Sequence, residues 1–496
     1  MSKTKKFFKD VVFYSGSNLL ANIMNFITAI VVRKILQPAL MGLYNEIMLI
    51  FDYAQYSHLG IINSLDKELP YLYGKKDYGQ VERVRNIGFT VCLMVVASIS
   101  AGILIASFFV RSADMLLLNG IRIVSILIVA RLIGSLYVVL NRSKHEFAVI
   151  SKYTMLVAAL DLVLKVVLIL KFGLYGLLWA SVITALAGLI YFYAASGERF
   201  SFLFDFAVRD IARLLKIGFP IFLTGFVFMT LTNIDRIMIL RLLDTEKLGL
   251  YTIGLMVNVY IVQLPNLVYA VIFPRFYQAY GERQNIFEIK DLFVKPTLVF
   301  AYLFPVLIGG VILILPLLVH YILPAYAPGL FPAYLLLLGS FFLALVNMPG
   351  YLLVVLDKQF RMVMISGACV ALSIFFIYIA VRRFNLGLAG VAIGASLAYL
   401  SYTSALISYA FTHYTKKVSE HVRFLAELYM PLVWVIAMLF IVRAFRTDVS
   451  GRIGADLISM FGKSAVFLIG CIPLALFANK KTGIITLLRS TYMKKT

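Results

Sequence analysis

Along the chain, apolar runs of about 20 residues alternate with short polar breaks, and the pattern recurs about fourteen times. A run of that length, wound as a helix at roughly 1.5 Å per residue, crosses a hydrocarbon core of about 30 Å. The spacing predicts spans near 11–32, 40–62, 87–110, 121–140, 153–170, 173–195 and 216–240. It continues with spans near 247–273, 297–320, 330–356, 362–381, 387–411, 428–445 and 463–479. The fold class is therefore all-α integral membrane. The longest breaks, 63–86 and 274–296, are too short for a soluble domain. The connections on the other side are shorter still, which argues against a membrane glycosyltransferase or ligase, whose chemistry needs an outer loop carrying acids or histidines.

Composition agrees: 62% of the 496 residues are hydrophobic, 14% are charged, and the mean hydropathy is +0.93. Such a surface requires a bilayer as its solvent. The first run follows Lys3, Lys5, Lys6 and Lys9, as a secretory signal does. It carries Asn18, Asn22 and Asn25 and lacks a small-residue cleavage site, so it is expected to stay as the first span. Cys92, Cys369 and Cys471 each fall in an apolar run, where a thiol behaves as a small hydrophobe, and no disulfide framework is implied. The net charge of +22 does not point to nucleic acid, because the cations form no single basic domain. Instead, 30 of the 46 Lys and Arg fall in the two termini and alternate connections, against about 13 on the opposite side. The positive-inside rule then places both termini in the cytoplasm, for a multi-pass protein of the cell's inner membrane. The remaining three, Arg131, Lys165 and Arg236, fall within spans.

The chain repeats itself. Lys34-Ile-Leu-Gln-Pro-Ala-Leu-Met-Gly-Leu-Tyr44 returns as Arg241-Leu-Leu-Asp-Thr-Glu-Lys-Leu-Gly-Leu-Tyr251, an offset of 207 (251 minus 44). Val149-Ile-Ser151 returns as Met364-Ile-Ser366, and Gly173-Leu-Tyr-Gly176 as Gly387-Leu-Ala-Gly390, at offsets of 215 and 214. Collinear matches at nearly one spacing indicate duplication. Six spans separate the copies, so both point the same way, as in transporters whose substrate lies between two halves. The expected organisation is an N-lobe (1–215, spans 1 to 6), a C-lobe (216–415, spans 7 to 12), and two further spans with a cytoplasmic tail (416–496).

Three segments carry a family resemblance that covers nearly the whole chain: the opening span with Leu36-Gln-Pro-Ala-Leu-Met-Gly-Leu-Tyr44, Lys216-Ile-Gly-Phe-Pro220 leading to Asn233-Ile-Asp-Arg236, and Gly249-Leu-Tyr251. Through these the chain resembles the polysaccharide flippase branch, of the Wzx type, in the multidrug, oligosaccharidyl-lipid and polysaccharide (MOP) exporter superfamily. Drug exporters (the MATE type) and the lipid II flippase share much of the same plan, whereas the two extra spans look like the glycan flippases. The resemblance implies a MATE-like V of two parallel lobes. It also implies a substrate of the undecaprenyl-pyrophosphate-linked oligosaccharide type, turned from the inner to the outer leaflet, with membrane lipids around it and H+ or Na+ as a coupling ion. No catalytic residue, metal or cofactor is expected.

The residues offer binding and coupling groups. Asn18, Asn22 and Asn25 are spaced i, i+4, i+7 and put three amides on one helix face beside Tyr14. Helix-to-helix hydrogen bonding and sugar binding are both open to them. Asn45, Asp52, Tyr56 and Asn63 share a face of the second span, with Glu46 about 100° away. A carboxylate within a span persists where it meets water or a partner, so Asp52 is either a paired strut or an ion-coupling site. Asp161 and Lys165, four residues apart, can neutralise each other, or Lys165 can reach a substrate phosphate. Arg131 sits mid-span, while Arg122 at a span's outer end is expected to snorkel to the headgroups. Asp235 and Arg236 match the family's Asp-Arg step, as an interlobe lock or as working groups. Arg131 and Arg236, on opposite lobes and each with a rigid fork of donors, are the preferred anion clamp, with Lys165 assisting. Asp52, Asp161, Asp235 and Glu46 are the ion-coupling candidates. Pro265, Pro305, Pro316 and Pro349 are expected to interrupt their spans. An ion-coupled exporter of small amphipathic compounds is the rival function. The two differ in cavity charge, since a carrier of lipid phosphates needs interior cations and a pump for cationic drugs needs acids.

Overall fold

The computed structural model describes residues 3–110, 114–197, 199–205, 207–283, 285–444 and 449–483; the C-terminal tail assigned to the cytoplasm, beyond 483, lies outside them. Among these residues every element is helical. In order they are α1 (Lys3–Ala54), α2 (Ile61–Lys75), α3 (Tyr78–Phe109), α4 (Met115–Ser143), α5 (Phe147–Ala195), α6 (Val208–Leu242) and α7 (Thr245–Arg283). Then come α8 (Lys290–Ile322), α9 (Leu330–Ala344), α10 (Asn347–Val355), α11 (Gln359–Tyr378), α12 (Gly387–Phe411), α13 (Val418–Ile441) and α14 (Ile453–Thr482). Eleven described segments are long and apolar enough to cross a membrane.

Two of the helices are hairpins in disguise. α1 breaks at Gln37, at φ 61 and ψ 171, immediately before Pro38. A proline disfavours the helical conformation in the residue before it, so the chain turns there and the first two spans share one element. α5 breaks at Gly173, at φ 55 and ψ −133, a conformation that suits a residue without a Cβ. With α1 and α5 each holding two spans and α9 with α10 forming one, the helices account for the fourteen expected spans.

The break expected at 63–86 is not a loop. The second span is interrupted at Leu59 and Gly60, at φ 49 and 95, and then continues as α2 to Lys75. Asp77 caps α3 by accepting from the Gln80 N–H at 3.1 Å. Likewise α7 runs on to Arg283 and α8 begins at Lys290. Polar residues such as Glu, Lys and Gln are good helix formers, so hydropathy ends the span without ending the helix. Three of the prolines behave differently from expectation: α7 and α8 run across Pro265, Pro305 and Pro316. The span holding Pro349 is interrupted between α9 and α10, and Pro349 lies in the first turn of the helix that resumes, where an N–H has no partner to lose.

The chain forms two compact units, Met1–Phe226 and Val227–Thr496, with the division inside α6. In the first, α1 lies along α5, and α4 packs against both α5 and α3 over Ile47, Leu127, Ile128 and Leu178. In the second, α12 sits between α9 and α11 around buried Tyr251, Tyr399 and Tyr402. α13 and α14 pack on α8, where Gly309 lies so close to the Phe467 ring that a Cβ would come within 2.3 Å of it.

The repeat markers occupy matching places. Gly173 and Gly387 have φ of 55 and 54. Three residues later in each motif, Gly176 and Gly390 pack against the backbone at Leu168 and at Ala380. Ser151 and Ser366 are both buried, and each donates to the carbonyl four residues back, at 2.8 Å.

Candidate functional site

In the first unit the interior charges form one stripe across α1, α4 and α5. Lys165 Nζ meets Asp161 Oδ2 at 2.9 Å, as i, i+4 spacing on one helix face allows. Asp161 is buried, and its other oxygen is buried with no hydrogen-bond partner among the described residues. Tyr44, in the second half of α1, lies within Coulombic range of Lys165, Asp161, Asp52 and Arg33. Tyr153, on α5, lies within the same range of Arg131 and Asp161. Arg33, Asp52, Asp161 and Lys165 thus lie around Tyr44, and Arg131 and Asp161 near Tyr153.

Arg33 is the member that sequence reading missed. Hydropathy ends the first span at 32 and puts Arg33 outside, but the helix runs on to the turn at Gln37. Arg33 is buried and donates to the Ala29 carbonyl at 3.0 Å. Pro38 is the signal that marks the turn at Gln37, five residues beyond the end that hydropathy gives.

Asp52 is half-buried and lies near Tyr56, whose ring packs on Phe222 and Phe226. Glu46 is half-buried, and Asn45 is buried and bonded to the Met41 carbonyl at 2.8 Å. Asn18 donates to the Tyr14 carbonyl of its own helix at 2.7 Å; Asn22 is half-buried and Asn25 exposed within the unit. Arg122 does not reach for headgroups. It donates to Asn119 Oδ1 at 2.8 Å and to the Ser107 hydroxyl and carbonyl at 3.2 and 3.3 Å, with its guanidinium 4.0 Å from the Phe108 ring centroid. The last carbonyls of α3 have no donors within their own helix, and Arg122 supplies one.

In the second unit Asp235 is 1% exposed and accepts from the Tyr251 hydroxyl at 2.9 Å and from the Arg236 backbone N–H at 2.8 Å. Tyr399, fully buried, lies within Coulombic range of Asp235 and Arg236. The phenol is that of the repeated Gly-Leu-Tyr motif, so the second copy of the repeat joins α6 to α7. Arg236 itself is half-buried.

Chemically, the first-unit stripe can hold an anion on its guanidinium and ammonium groups. It can also carry a proton or small cation on Asp161 or Asp52, because a carboxylate inside a membrane answers strongly to any change in nearby charge.

The profile of a family described as "Polysaccharide biosynthesis protein" matches residues 7–280. No curated protein sequence matches the chain. Among solved structures, a lipid II flippase, MurJ, in an inward closed conformation superposes with a TM-score of 0.67 at 14% identity, covering 95% of this chain and 99% of that one. A multidrug resistance transporter of the MATE family, inward-facing, gives 0.60 at 15% identity, covering 83% and 96%. A MOP superfamily transporter from Pyrococcus furiosus, described as having a binding pocket of reversed polarity, gives 0.55 at 15% identity, covering 82% and 93%. At such identities the likeness is one of fold: this chain has the MOP superfamily fold.

Proposed function

Because the chain belongs to the polysaccharide biosynthesis protein family, and folds as a MOP superfamily transporter, we propose that it is a flippase for polyprenyl-pyrophosphate-linked oligosaccharides. It carries them from the inner to the outer leaflet of the cytoplasmic membrane by alternating access, with both termini in the cytoplasm. The observation that supports this substrate is the interior stripe of Arg33, Arg131 and Lys165. A pyrophosphate carried through a hydrocarbon core must exchange water for other charge compensation, and buried cations offer it. Arginine adds a planar fork that matches two phosphate oxygens at once. Lys165 is held by its ion pair with Asp161 until a phosphate competes for it.

Coupling to an ion gradient rests on the same stripe. A proton or sodium ion taken up by Asp161 or Asp52 changes the stripe's net charge and therefore its grip on phosphate. One charge moved through 100 mV is worth about 2.3 kcal/mol, enough to bias a two-state carrier.

The test uses purified variants in liposomes loaded with a lipid-pyrophosphate oligosaccharide. Arg131→Ala is expected to abolish glycan translocation and weaken binding while leaving thermal stability near that of the native protein. Arg131→Lys is expected to restore only part of the activity. Arg236→Ala, assayed separately, distinguishes phosphate contact from bracing of Asp235: lost binding with an intact fold supports the former. Normal binding with a destabilised fold in both alanine variants would make these arginines architectural. Transport of an amphipathic cation in place of the glycan would favour the exporter reading.

A further inference from the structure

The connection from α5 to α6, between the two copies of the repeat, is built like a fitting rather than a free loop. Residues 199–205 run extended along α3. The Ser201 N–H donates to Asn86 Oδ1 at 3.2 Å, and the Leu203 N–H donates to Thr90 Oγ1 at 3.0 Å. Both acceptors are buried, and Asn86 Oδ1 is steadied by buried Arg85 at 3.1 Å. Phe200, Phe202 and Phe204, two residues apart, share one face of the strap. Phe200 stacks on Phe89 at 4.9 Å and meets Tyr137 edge-on at 5.0 Å. Phe202 reaches Phe89 at 5.4 Å, and Phe204 lies parallel to Phe202 at 5.9 Å.

The row of rings leaves the protein. Phe202 is 59% exposed and Phe204 is 70% exposed, and Val208 at the start of α6 is exposed too. Asn86, Phe89 and Thr90 stand where α3 passes from its polar first turns into its apolar length, so the strap lies at the membrane–water boundary. Cations flank it. Arg199 holds its guanidinium 4.2 Å from the ring centroid of exposed Tyr193 and donates to that hydroxyl at 3.0 Å, while Arg209 is exposed on α6. Of the nearby acids, Asp210 is tied to Arg83 at 3.1 Å, and Asp205 is exposed.

We infer that the strap is an interfacial lipid site: Phe202 and Phe204 enter the acyl-headgroup boundary of the leaflet, and Arg199 and Arg209 receive the phosphates of acidic phospholipids. Aromatic side chains with neighbouring arginines suit that boundary, where apolar area and charge are both satisfied. Two of the strap's backbone N–H groups, those of Ser201 and Leu203, are bonded inward and need no water there. The Lys and Arg asymmetry puts this side at the cytoplasmic leaflet.

The chain has two tryptophans, Trp179 and Trp434. With both replaced by Phe, a single Phe202→Trp reports on the strap in the full-length protein reconstituted in nanodiscs. Strong quenching by phosphatidylcholine brominated high on its chains, and weak quenching by aqueous iodide, is expected; Phe204→Trp serves if the first variant folds poorly. Quenching by iodide alone would show a strap facing water or a soluble partner and would overturn the proposal. In native mass spectrometry, Arg199→Ala and Arg209→Ala should each weaken phosphatidylglycerol retention by roughly five-fold, at about 1 kcal/mol per basic residue near the surface. Unchanged retention in the double variant would overturn the acidic-lipid assignment. Neither readout involves glycan transport, so failure here leaves the flippase reading intact, and the reverse holds.

Discussion

Single residues in this protein separate into those that hold charge in reserve and those that lock helices. Asp235 is a lock. Its carboxylate is sealed from solvent and depends on one phenol from α7 and one backbone N–H. Tyr251→Phe keeps the ring and removes the donor, leaving a buried acceptor unsatisfied at a cost of about 1 to 3 kcal/mol. Thermal unfolding of the purified variant should show the loss. A midpoint equal to that of the native protein would mean that Asp235 finds another donor. Asp161 is the contrasting case, because its partner is a cation that the proposed mechanism uses. Asp161→Asn removes the titratable carboxylate beside Lys165 while keeping the side chain's size, so lipid-pyrophosphate binding should persist while its dependence on the ion gradient is lost. Titration of binding with and without an imposed gradient measures both. Gradient-dependent binding in the variant would move coupling to Asp52.

At the scale of elements, the turns decide more than the prolines do. The interruption of the second span at Leu59 and Gly60 sets the Gly60 backbone against Gly218 of α6, where a Cβ on Gly218 would stand 1.9 Å from the Gly60 carbonyl oxygen. The clash is with backbone rather than with a mobile side-chain tip, so Gly218→Ala must shift the whole crossing. Overpacking of this kind costs typically about 1 to 3 kcal/mol and here should reach at least the upper end. Gly225→Ala is the control two turns further along α6, since its Cβ would make only ordinary contact with Tyr56, at 3.7 Å. Abundance and thermal midpoint in detergent should fall for the first variant and hold for the second. Equal behaviour of the pair would remove the close crossing as a constraint on the fold.

For the whole molecule, the repeat supplies the frame and the two copies use it differently. At the offset of 207, Tyr44 answers to Tyr251; one stands in the stripe of charges and the other binds Asp235. At the offset of 214, Asp161 and Lys165 answer to Phe375 and Ile379, so the second unit is apolar where the first carries its ion pair. Duplicated scaffolds commonly keep the packing of both copies while chemistry concentrates in one, since function resides in sites grafted on a fold. The distribution of Lys and Arg gives the scaffold its sidedness. Reporter fusions between Asp77 and Glu82, or after Thr496, should report cytoplasm; an outer signal at both would invert the topology and assign the strap to the other leaflet.

Span number and the all-helical class were legible in the sequence, because hydrophobic length within a span is a local property. The Lys165–Asp161 pair was legible too, as its four-residue spacing is set by the helix itself. Tertiary structure decided what depends on how helices pack. Asp235 finds Tyr251 only after α6 and α7 lie side by side. Arg33 joins the interior stripe only because α1 turns at Gln37 rather than where hydropathy falls. Arg122 is drawn from the headgroups by the unfilled carbonyls that end α3. The strap is held by Asn86 and Thr90, more than 110 residues earlier in the chain. A hydrophobic run states which solvent a helix prefers, whereas the partner of a buried polar atom is settled by whichever neighbour the packed helices bring within hydrogen-bonding distance.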